Sequence, residues 1–116
     1  MNTRGLRGAT TVTENKRELI IAATKELLLK ISDENKLVIE DIAAIHFSLT
    51  HDLNAEFPAV AARELGWNDT PLLCMSEINV PKSLPRCIRV LLLINTDKSA
   101  KEIKHIYLRD AVGLRR

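Results

Sequence analysis

Apolar positions change period several times along the chain, and each change marks an element. Residues 3–12 are rich in Thr and Val and interrupted by Gly5 and Gly8, which predicts an extended strand whose glycines admit close neighbours. Arg7 stands between those glycines. Ile20, Ala23, Leu27 and Ile31 then recur at helical spacing, with Lys16, Lys25, Glu26 and Lys30 on the solvated side. That pattern predicts a helix over residues 14–32. Thr11-x-x-Glu14 and Asn15-x-x-Glu18 are competing capping boxes for its start, and Asp33-Glu34-Asn35 ends it.

From residue 43 the period falls to two. Ala43, Ile45, Phe47 and Leu49 point toward a core, while Ala44, His46 and Ser48 point away. Phe57-Pro58 opens a short helix, with Pro58 at the first helical position and Gly66 placed to end it. Residues 72–75 read as a short strand, and Pro81 and Pro85 bracket a loop. Residues 86–95 form the most apolar strand, with Ile88, Val90, Leu92 and Ile94 on one face and Cys87, Leu91 and Leu93 on the other. Such a strand is covered on both sides. Only Arg89 breaks its pattern. Ser99-x-x-Glu102 starts a short helical turn, and a last strand is expected over residues 105–112. One long helix and two short ones are too few to cover both faces of a five-stranded mixed sheet. The expectation is therefore an α+β domain that associates with copies of itself.

Composition narrows the function classes. The 116 residues make one domain, 1–116, and 46% hydrophobic with 28% charged content excludes a disordered chain. A net charge of +2 and 3% aromatic residues argue against a nucleic-acid surface, which needs a basic field and stacking platforms. The run Val90–Ile94 falls far short of the ~20 apolar residues that a membrane span needs. With no apolar N-terminal segment, the expected place of action is the cytoplasm. Cys74 and Cys87 lack CxxC spacing, and His46, His51 and His105 form no ligand pattern, so neither metal nor cofactor is expected.

The candidate chemistry centres on Arg89. A guanidinium cannot shed its proton, so on an apolar strand it either pairs internally, with Glu77 or Glu102, or faces an anion or a partly charged oxygen at an open site. Arg7 repeats the theme on a second strand. Glu77 could pair with Arg89, accept from a substrate hydroxyl or act as a base. Cys74 lacks an evident base partner and reads as a core thiol or weak donor. Tyr107 and Phe57 serve a core as readily as a pocket. This inventory holds no nucleophile–base pair and no phosphate loop; it suits binding a polar dianion and stabilising charge without covalent chemistry.

At this point a family resemblance emerges. Arg4-Gly5-Leu6-Arg7-Gly8-Ala9-Thr10-Thr11-Val12 resembles the opening of the monofunctional, Bacillus-type chorismate mutases. The likeness continues through Asp52–Ala59, Ala62–Leu65, Cys74-Met75-Ser76-Glu77, Cys87-Ile88-Arg89-Val90 and His105-Ile106-Tyr107-Leu108. It implies a trimeric pseudo α/β barrel that isomerises chorismate to prephenate by a non-covalent Claisen rearrangement, with sites between subunits. It also implies roles: Arg7 and Tyr107 at a substrate carboxylate, Arg89 at the ether oxygen, and Glu77 with Cys74 near the ring hydroxyl. Phe57, Ala59 and Leu73 would line the pocket from the neighbouring subunit. Arg63 and Arg115 would lie toward its mouth, and Leu114 would also bind substrate. Val60 departs from the family relative's lysine, which removes one mouth contact, and one residue is deleted before Gly66-Trp67. The alternative reading is a non-catalytic trimeric domain that binds a carboxylate metabolite through Arg7 and Arg89.

Overall fold

The most apolar strand takes the centre of the sheet. In the computed structural model, which describes residues 1–114, the elements run β1 (Asn2–Thr11), α1 (Arg17–Asn35), β2 (Ile42–Leu49), α2 (Ala59–Glu64), β3 (Leu72–Ser76), β4 (Cys87–Thr96) and β5 (Ile106–Tyr107). Short 3-10 helices occupy Ile39–Asp41, Ala100–Glu102 and Arg109–Leu114. The strand order is β3-β2-β4-β1-β5. β4 runs antiparallel to both neighbours, while β2–β3 and β1–β5 are parallel, so the sheet is mixed as expected.

One face of that sheet is covered by α1 and α2. Leu27, Leu28 and Ile31 of α1 pack with Leu6, Ile45, Phe47, Val90, Leu92 and Ile94 into the main core. Close approach explains Gly8: a Cβ there would lie 2.7 Å from Ile31 Cδ1 and 3.1 Å from the Ile106 carbonyl oxygen. Gly66, at φ +87°, closes α2 in a Schellman motif, with Gly66 N–H on Arg63 O and Trp67 N–H on Ala62 O. The Ser99–Glu102 capping box forms as its spacing predicts.

Four expectations need correction. α1 starts at Arg17 behind Lys16 with no side-chain cap, because Asn15 is used elsewhere: its Oδ1 accepts from the backbone N–H groups of Asn54 and Ala55. The helix also runs on to Asn35, which is buried and accepts from Lys104 N–H while donating to Lys104 O and Ile31 O. That long-range clip stabilises a last turn the local sequence does not favour. A bulge between Ile42 and Ala44 shifts the start of β2, so Ile42 is buried and Ala43 exposed. The last strand shrinks to Ile106–Tyr107: Arg109 turns to φ 53°, and Thr11 Oγ1 accepts from Asp110 N–H in place of a further ladder bond. The 3-10 helix that follows packs Ala111 against Ala9 and Cys87.

Within the chain the second side of β4 is covered at its start, where Ala111 packs on Cys87, and is largely open beyond it. Ile88, Val90, Leu92 and Ile94 are buried, whereas Arg89 is exposed and Leu91 is 36% exposed on the second face. Neighbouring Leu73 and Met75, at 55% and 45%, extend that open apolar surface.

Candidate active site

Strand register decides which side chains share the open face. Leu73, His46, Leu91 and Arg7 form one row across four strands, and Met75, Ser48, Arg89 and Ala9 form the next. Glu77 follows β3, and its N–H donates to Leu49 O at 2.9 Å, which carries the β2–β3 pairing one step further. Its carboxylate therefore returns over the open face. There Glu77 Oε2 lies 3.1 Å from Arg89 Nε and accepts a 3.0 Å hydrogen bond from Ser48 Oγ. Of the two acidic partners open to Arg89, Glu77 is the one engaged; Glu102 caps Ser99 N–H instead. The Arg89 side chain stays 45% exposed, so the ion pair and an open site coexist.

The surrounding groups fix this corner. Burial pushes the Cys87 thiol up, which the charge and hydrogen bond of Arg89 only partly offset. Arg7 N–H donates to His105 Nδ1 at 2.9 Å, and the Arg7 side chain makes no ion pair among the described residues. Tyr107 pairs with Ala9 and packs, with Leu114, against the Ala9–Cys87–Ala111 cluster. Arg89, Glu77, Arg7, Tyr107 and Leu114 thus belong to one side of the sheet.

A second group assembles around α2. Cys74 is the register partner of the buried Phe47, so it lies on the helix side of β3. Burial raises its thiol, opposed by the Ala59 N–H and the charge of Arg63. Phe57 is 66% exposed beside a cavity of about 520 Å³ that Cys74, Met75, Leu49 and Ala55 also line. The loop carrying Phe57 is pinned to α1: Glu56 accepts from Phe57 N–H and from Arg17 Nε, both at 2.8 Å, and these bonds hold its carboxyl below the usual range. Cys74 and Glu77, expected side by side, therefore project from opposite faces within one chain. Leu73 joins the Arg7 row rather than the α2 group. Arg115 lies outside the described residues.

Two contributors were not singled out from the sequence. Ser48 carries a signal in hindsight, being a polar position on the non-core face of an alternating strand. Asp52 offered none: it accepts from Arg86 N–H through both oxygens, at 3.2 and 3.0 Å, and from Thr50 Oγ1 at 2.6 Å. Among the described residues no three His, Cys, Asp or Glu side chains converge to hold a metal ion.

Residues 3–116 match the family Chorismate mutase type I. The chain belongs to that family. It is 51% identical over 113 residues to chorismate mutase AroH of Thermus thermophilus, covering 97% of this chain and 93% of the relative. With chorismate mutase AroH of Bacillus subtilis it shares 47% identity over 116 residues, covering 99% and 91%. Its fold matches the solved chorismate mutase from Clostridium thermocellum with a TM-score of 0.93 at 50% identity, over 94% of this chain and 97% of that one. The mixed five-stranded sheet with one long helix is thus the architecture of this type I chorismate mutase family member.

Proposed function

We propose that the protein is an isomerase that converts chorismate to prephenate by a non-covalent 3,3-sigmatropic rearrangement, serving phenylalanine and tyrosine synthesis in the cytoplasm. One observation carries the reading: a half-exposed guanidinium, Arg89, braced by Glu77 on an open sheet face. Such a rearrangement moves bonds within one molecule and requires neither base nor cofactor. Catalysis then consists of holding the compact conformer and stabilising the charge that develops as the C–O bond breaks. Arg89 supplies the second, at the ether oxygen. Arg7 and Tyr107 bind a carboxylate, and Glu77 accepts from the ring hydroxyl. Cys74, its thiol pushed up by burial, acts as a neutral donor.

The site is shared between subunits of a homotrimer. What supports this is the separation within one chain of Arg7, Arg89, Glu77 and Tyr107 from Phe57, Ala59, Arg63 and Cys74. A neighbouring copy brings the second group to the first and covers Leu91, Leu73 and Met75. Leu114 lies at the mouth of that shared pocket. Val60, an uncharged residue in α2, leaves that mouth without a lysine contact.

The test is loss of chorismate absorbance on addition of purified protein, with light scattering on the same sample. Turnover by a particle of three chains is the expected result. Binding without turnover would convert the assignment to a carboxylate-binding domain, and a fully active monomer would remove the shared site.

A further inference from the structure

We propose that Ser48 is a positioning residue for the reaction, setting the rotation of the Glu77 carboxylate so that its second oxygen faces the substrate. The inference deepens the function proposed above and rests on it. Its basis is the way three strands converge on one oxygen atom. Ser48 on β2 and Arg89 on β4 are direct register partners, and Glu77 lies one step past the end of β3. Both neighbours reach Oε2, Ser48 Oγ as a hydrogen-bond donor at 3.0 Å and Arg89 Nε as an ion-pair partner at 3.1 Å.

These two contacts do different work. An ion pair between partly exposed groups is screened by solvent and fixes orientation weakly. A hydroxyl donating to a carboxylate is directional and charge-assisted. Among the described residues no hydrogen bond runs to Glu77 Oε1. With Oε2 held from two sides, Oε1 is the oxygen left to accept from a substrate hydroxyl. Ser48 also opposes a swing of Glu77 into a two-pronged pair with Arg89. Such a pair would occupy the guanidinium N–H groups that the breaking C–O bond requires.

The experiment measures kcat, KM and Tm for wild type, Ser48→Ala, Ser48→Thr and Ser48→Val, and for Ser48→Ala in a Glu77→Gln background. Ser48→Ala is expected to lower kcat about tenfold with KM within about twofold, the pattern of a contact that matters in the transition state. Its Tm stays at the wild-type value. Threonine, which keeps the hydroxyl, restores activity; valine, its isostere, behaves as alanine. In the Glu77→Gln background, where an amide oxygen still accepts from Ser48 but the charge-assisted contact is gone, the alanine costs less than in wild type. A wild-type kcat in Ser48→Ala, an equal loss in the Glu77→Gln background, or threonine as damaging as valine would each overturn the role. If the alanine variant does not fold, the threonine–valine pair still reads the hydroxyl alone. A wild type that leaves chorismate untouched fails the proposed function first, and this inference with it. That result is distinct from an active enzyme indifferent to Ser48.

Discussion

The two faces of β4 obey different physics. On the helix side, Ile88, Val90, Leu92 and Ile94 are all at most 4% exposed, and the face works by exclusion of water. On the other side Cys87 is buried, Arg89 is half exposed, and Leu91 is open to solvent. Ten residues of one strand thus hold a stability core and a chemical surface back to back. A fault on the first face should unfold the protein, and a fault on the second should stop it working while it stays folded.

The most severe break of that comparison is Phe47→Ala. Phe47 is fully buried, so its removal should cost about 3–5 kcal/mol of stability in denaturant titration. A small loss would show that the core can collapse around the gap. Arg89→Lys should do the reverse. It keeps the charge but loses the planar fork, and kcat should fall by about 10²–10³ while Tm is held. A variant with near-normal kcat would reduce Arg89 to a structural ion pair.

Asp52 sharpens the comparison at the sheet's end, where the loop after β2 meets the start of β4. Burial alone would raise its pKa, but Thr50, the Arg86 N–H and the Arg86 charge outweigh that and hold it below the ordinary 3.8. The folded state therefore binds this proton less tightly than the unfolded chain. Its stabilisation is present above about pH 4 and is lost as pH falls through the lowered folded value. Asp52→Ala should cost about 1 kcal/mol at pH 7, a modest figure because the group is largely solvated, and should flatten the acid side of the stability profile. An unchanged acid limb would show that other carboxylates set it. The smallest effect is expected at Thr10, whose buried Oγ1 has no hydrogen-bond partner among the described residues. Thr10→Val removes an unsatisfied hydroxyl at constant shape, so urea midpoints should stay put or rise slightly. A clear loss would reveal a partner for that oxygen.

Much of the covered face was legible in the residues. The periods of Ile20, Ala23, Leu27 and Ile31, and of Ile45, Phe47 and Leu49, identify α1 and β2 because burial on one face repeats with the geometry of the element. The 105–112 segment misled for the same reason in reverse. Its apolar residues suit a strand, but β1 offers a register of only Gly8 and Ala9 before the chain turns at Arg109. The extended α1 depended on Asn35 meeting Lys104, a contact across the whole second half of the fold.

The open face divides along the same line. By itself the sequence determined that Arg89 interrupts an apolar strand, that Gly8 admits a close neighbour, and that this chain carries the family's pattern of blocks. These are properties of single positions and local spacing. Tertiary structure alone decided that Glu77 rather than Glu102 answers Arg89, that Ser48 joins them on the same oxygen, and that Cys74 lies on the far side of the sheet. Residues 48, 77 and 89 sit on or just past three different strands. Only the register between those strands brings their polar atoms within 3.1 Å, and register depends on how the sheet packs as a whole.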